Sequence, residues 1–161
     1  MSWIPLFSTA LGAVIGIAAT LLADWTRANR NQREESRTVR RQLYGDYLAA
    51  LSLTRHHLRV AARNAGSPIE DKARLALEAF EAGGAYQARY QVALVAPGHV
   101  TDASTAAFNA LRSLRDLIEG GGGANSDPAF REAQQQWAAR FAALRNCMRV
   151  DLGLDQGEKQ P

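Results

Sequence analysis

The chain has 161 residues with 19 Lys+Arg against 16 Asp+Glu, a formal net charge of +3, and a single cysteine, Cys147, which excludes an internal disulfide. The basic excess is local: residues 24–63 carry nine Arg against four acids (net +5), and residues 64–161 carry ten basic against twelve acidic side chains (net −2). A basic face throughout, as nucleic-acid binding would need, is therefore not expected, and the near-exclusive use of Arg over Lys (only Lys72 and Lys159) is that of a high-GC genome.

Residues Ile4 to Ala23 carry no charge. At about 1.5 Å per residue, a helix of that length covers about 30 Å, the hydrocarbon thickness of a bilayer. Ser8, Thr9 and Thr20 are its polar side chains, and their hydroxyls can bond back to their own helix. Trp3 and Trp25 bracket the run as interfacial anchors do. Residues 1–23 are expected to be a transmembrane signal anchor. A cleaved signal peptide fits less well, because no Lys or Arg precedes the run and Asp24, Trp25 and Arg27 crowd its end. Ser8, Gly12, Gly16 and Thr20 recur every four residues along one face. Such a stripe lets two helices pack closely, in a homodimer or on a membrane-protein partner, and an Ala/Gly-rich run also produces it by chance.

Residues 24–38 read as an Arg-rich juxtamembrane helical stalk, with no large apolar residue from Ala28 to Thr38. Arg27, Arg30, Arg33, Arg37, Arg40 and Arg41 follow the span, whereas only the α-amino group precedes it. The positive-inside rule then puts the N-terminus outside and the rest in the cytoplasm of a single-pass protein. The same arginines can attract anionic lipid headgroups, at about 1 kcal/mol each near the surface, or serve topology alone.

Residues 39–152 are expected to form a helical bundle. With no breaker but Gly45 before Arg63, the membrane helix continues into it. Val39, Leu43, Tyr47, Leu51 and Leu58 share one face, with Tyr44, Leu48 and Ala62 at its edge. Ser67-Pro68-Ile69-Glu70 is a capping box that opens a second helix reaching Val95. Gly83-Gly84 inside it marks a kink, a short interruption or a close helix contact. Thr101 or Asp102 caps a third helix ending at Glu119, with Ala103, Ala107, Phe108, Leu111, Leu114, Leu117 and Ile118 inward. Asp127-Pro128 opens a fourth, with Phe130, Trp137, Phe141, Leu144 and Met148 inward, ending near Leu152. Residues 153–161 are expected to be a disordered tail. The sum is an all-α chain: a transmembrane helix continuing into a cytoplasmic, antiparallel, up-down-up-down four-helix bundle.

No catalytic, cofactor or metal motif stands out. His56 and His57 are adjacent and point about 100° apart on a helix, so with His99 they make a poor metal set. Cys147 has apolar neighbours and reads as core. The run Gly120–Gly123 lacks the Gly-Lys-Ser/Thr ending of a phosphate loop and reads as a linker. Tyr44, Tyr47, Phe80, Tyr86 and Tyr90 lie at core-facing spacings.

A span ending in Ala23-Asp24-Trp25, an Arg-rich stretch, and then Arg40-Arg41-x-x-Tyr44-x-x-Tyr47-Leu48 resembles uncharacterised single-span proteins of high-GC actinobacteria, over about residues 10–60. The resemblance implies membrane anchoring and a helical cytoplasmic domain. It implies no activity. The expected function is a non-enzymatic, membrane-anchored interaction or scaffold protein. The alternative is an accessory subunit of a membrane complex, acting through helix packing in the bilayer and lipid binding by the arginines.

Overall fold

In the computed structural model, the described residues are 4–63, 68–122 and 127–154 for the backbone, with side chains from Glu34 onward. They form five helices, and no strand occurs among them: α1 (Ile4–Arg63), α2 (Ile69–Ala82), α3 (Ala85–Val95), α4 (Gly98–Glu119) and α5 (Pro128–Asp151). Two units are distinguished, residues 1–39 and 40–161. Among the described residues no helix is long and apolar enough to cross a membrane. The expected span, with its stripe Ser8, Gly12, Gly16 and Thr20, lies outside the described side chains, as do Trp3, Trp25, Arg27, Arg30 and Arg33.

In the first unit, the described side chains Glu34 to Val39 are all exposed. The Thr38 hydroxyl donates to the Glu34 carbonyl at 3.0 Å. Val39, expected on the core face, is 48% exposed. It is the last residue of the first unit, one position before the second begins.

The second unit is held by one apolar core drawn from all five helices. Tyr44, Tyr47, Leu51 and Leu58 of α1 are buried, and so are Thr54 and Ala61. The buried stripe is centred on Tyr47 and Leu51, and Tyr44 belongs to it rather than to its edge. Each hydroxyl in the stripe is answered. Thr54 Oγ1 donates to the Ala50 carbonyl at 2.8 Å, and Ser104 Oγ of α4 donates to Tyr47 Oη at 2.9 Å. Helix α4 packs against α2, α3 and α5. Its Val100, Ala107, Phe108, Leu111, Leu114 and Ile118 are buried, and a fully buried Leu or Ile contributes about 1.5–3 kcal/mol. On α5, Trp137 stacks on Phe141 at 4.8 Å, and the Arg55 guanidinium of α1 lies over the indole at 4.5 Å. Burial, with Arg59 nearby, pushes the Arg55 pKa down.

Local chemistry sets the helix ends. Asp127 caps α5, its carboxylate accepting from the Ala129 amide at 3.0 Å, with Pro128 in the first turn. Helices α4 and α5 close in the same way. Past the end of α4, Gly121 (φ 85°) donates to the Ile118 carbonyl and Gly122 to that of Leu117. Past α5, Gly153 (φ 72°) donates to Val150 and Leu154 to Arg149. These are Schellman motifs, in which a left-handed glycine satisfies the last carbonyls. Residues 153 and 154, expected in a disordered tail, are therefore a helix cap. The rest of that tail, from residue 155, lies outside the described residues.

Three boundaries differ from expectation. Ser67 of the expected capping box lies outside the described residues, and Pro68 occupies the N-cap of α2 without a side-chain cap bond. Helix α4 begins at Gly98 behind Pro97, not at Thr101 or Asp102. Thr101 is already in its first turn and donates back to the Gly98 carbonyl at 2.7 Å. The expected second helix is two helices. Gly84 takes a left-handed conformation (φ 68°) and separates α2 from α3. Gly83 lies against Thr54 of α1, so the glycine pair is an interruption and a close contact at once.

Candidate functional site

A recess opens in the second unit beside the Gly83-Gly84 break. It is a half-open groove of about 620 Å³ between α2, α3 and α4. Its floor is aromatic. Phe80 of α2 and Phe108 of α4 are buried and meet edge to face at 5.5 Å. Tyr86 of α3 lies 6.0 Å from Phe108, and Tyr86 and Tyr90 pack edge to face at 5.1 Å with their hydroxyls 3.1 Å apart.

Three arginines line the same groove. The Arg89 guanidinium lies over the Phe108 ring at 4.9 Å and donates to Thr105 Oγ1 at 3.1 Å. Arg115 lies over Phe80 at 5.0 Å and pairs with Asp116 and with Glu119 at 3.2 Å. Arg112 of α4, one turn after Phe108, lines it too. Among the described residues, neither Arg89 nor Arg112 forms an ion pair, and Glu81 is the single acid of the lining. The groove thus joins guanidiniums, two of them held over aromatic rings, to an apolar wall. Guanidiniums stay charged at any working pH, so they bind anions rather than move protons.

Tyr86 and Tyr90 were expected in the core, and that expectation is corrected: they are 54% and 57% exposed. The glycine break is the physical reason. Ala76, Ala79, Phe80 and Gly83 are buried along α2, and a continuous helix would carry that face on through positions 87 and 90. After Gly84 the buried positions are Ala85 and Val92, which turns Tyr86, Tyr90 and Leu94 outward. The i, i+4, i+8 spacing of those three residues, with Arg89 among them, was the sequence's only sign of this site.

The arginines singled out after the span divide. Arg37 and Arg41 are exposed. Arg40 is committed within the second unit, where its guanidinium donates to both carboxylate oxygens of Asp151 at 3.1 and 3.2 Å. Tyr44 donates to the same Asp151 at 2.8 Å. Burial first, and then Asp151, pushes the Tyr44 pKa up. His56 and His57 stand with rings 6.0 Å apart in an edge contact, and His99 is exposed on α4. No group of three His, Cys, Asp or Glu among the described residues could hold a metal ion. Cys147 is partly buried against the core.

No known protein family, curated protein or solved structure matches the chain.

Proposed function

We propose that this chain is a non-enzymatic interaction or scaffold module. In this reading it is held to the cell membrane by a single N-terminal span, with the N-terminus outside and an antiparallel helical bundle in the cytoplasm. The uncharged run from Ile4 to Ala23 and the six arginines after it support the anchoring and the orientation. The arginine–aromatic groove carries the interaction reading. Tyr and Arg are the residue types that dominate protein interfaces, and here exposed Tyr86, Tyr90 and Arg112 and half-buried Arg89 and Arg115 line one recess. Two measurements test it. A reporter fused after Pro161 should be active in its cytoplasmic form only. A photo-crosslinking amino acid at Tyr90 should capture a protein in cells, whereas the same amino acid at Arg131 on α5 should not. Equal capture at both positions, or none, removes the groove as the interaction surface.

A second reading has its own support. Arg37 and Arg41 are exposed on the helix that leaves the expected span, which fits contact with anionic headgroups by an accessory subunit of a membrane complex. Anionic phospholipid co-purifying with the intact protein should then fall when Arg27, Arg30, Arg33, Arg37 and Arg41 are changed to Gln. Unchanged retention ends this second reading.

A further inference from the structure

Resting on the interaction-module reading, we infer that the groove takes an acidic segment of a partner protein with apolar anchor residues. Carboxylates would meet Arg89 and Arg112, and aliphatic or aromatic side chains would lie against Leu77, Tyr86 and Tyr90.

Charge complementarity gives the first argument. Arg89 and Arg112 enter the groove with no carboxylate in ion-pair distance among the described residues, whereas Arg115 already has two acidic partners. The unanswered positive charge lies beside an apolar wall, so the fitting occupant carries acid and hydrocarbon together.

Geometry narrows the ligand further. The Arg89 guanidinium is held over the Phe108 ring and by its hydrogen bond to Thr105 Oγ1, so it is positioned before a ligand arrives. A guanidinium presents its N–H groups in a planar fork, the arrangement that receives a carboxylate on two parallel bonds.

The extent of the exposed face agrees. Leu77 is exposed on the α2 wall, and Leu94, two turns beyond Tyr86, is 86% exposed. The stripe from Tyr86 to Leu94 is about 12 Å long at helical rise, so it continues past the recess. A recess of about 620 Å³ has room for a few side chains, while the stripe supports the chain that carries them. A peptide segment satisfies both. A compact anion fills only the first.

The test uses the full chain in nanodiscs of zwitterionic lipid, panned against a displayed library of random twelve-residue peptides. The inference expects enriched peptides with Asp or Glu beside Leu, Phe, Tyr or Trp. Their affinity should fall about tenfold in Arg112→Gln and in Tyr90→Ala and stay unchanged in Arg131→Gln. Circular dichroism melting of each variant separates lost binding from lost fold, and Arg112 is exposed enough for its variant to fold. Enriched peptides without acids, no enrichment at all, or affinity indifferent to Arg112 would each overturn the inference. So would ATP binding that depends on Arg112 while no acidic peptide is selected. The two levels of the argument fail differently. Protein capture at Tyr90 in cells without acidic selection leaves the interaction module standing and removes the acidic partner; no capture at Tyr90 removes the module itself.

Discussion

Thr54 occupies the space that a side chain on Gly83 would need. A Cβ at Gly83 would collide with Thr54 Oγ1 and stand 2.6 Å from Thr54 Cβ. The contact ties α1 to the end of α2 at the point where the chain turns into α3, so the position of the groove depends on it.

Gly83→Ala should therefore cost about 1–3 kcal/mol through overpacking, since its φ of −72° suits alanine and leaves sterics as the only penalty. Thr54→Ala in the same chain should recover only part of the loss, because Thr54 Cβ would remain in the way. Gly84→Ala meets no neighbour but must hold a φ of 68°, and it should cost about 1–2 kcal/mol. Urea unfolding of the single and double variants checks all three, and strict additivity of Gly83→Ala with Thr54→Ala would contradict the steric account.

Asp151 receives both Arg40 and Tyr44, and its side chain is only 10% exposed against 26% for Arg40. Asp151→Ala leaves a guanidinium and a buried phenol without their acceptor, and should cost about 2–3 kcal/mol. Tyr44→Phe removes one hydrogen bond and should cost about 1 kcal/mol. A double-mutant cycle between Arg40→Gln and Asp151→Asn should show coupling. Independent effects would mean that the pair contributes nothing.

Stability should decline in alkaline solution. The phenols of Tyr44 and Tyr47 both lie above their ordinary pKa of 10.0 in the fold, Tyr44 through burial and then Asp151, Tyr47 through burial. The unfolded chain releases these protons first as pH rises past 10, so stability present in full below that pH is lost above it. Unfolding midpoints measured between pH 8 and 11 should fall steeply for the wild-type chain and less steeply for Tyr44→Phe. An identical slope in the variant would show that Tyr44 does not drive the loss.

At the start of α5, Asp127→Ala removes the acceptor of the Ala129 amide and should cost about 1 kcal/mol. Asp127→Asn keeps an acceptor oxygen and should cost less. Equal losses in thermal melting would deny the cap its role.

What could be read from the sequence was what local chemistry decides. Asp127-Pro128 announces a helix start because a carboxylate cap and a proline act within one turn, and the α5 core residues Phe130, Trp137, Leu144 and Met148 follow by period. Helix α4 started early because Pro97, extended at the N-cap, already opens a helix that Gly98 can continue; Thr101 and Asp102 looked like caps only in isolation. The pairing of Arg40 with Asp151 joins residues 111 apart in sequence, and nothing near Arg40 distinguishes it from Arg37 or Arg41. Tyr86 and Tyr90 were misplaced because a periodic reading runs straight through Gly84, whereas its left-handed backbone starts the count again.

The break after α2 also separates what the fold needs from what its surface can vary. Leu94 and Tyr90 stand outside the core that Ala85 and Val92 supply from the same helix. Substitutions at the two exposed positions leave the buried set untouched. The groove wall can therefore drift in sequence, and with it the choice of occupant, while the helices beneath keep their packing.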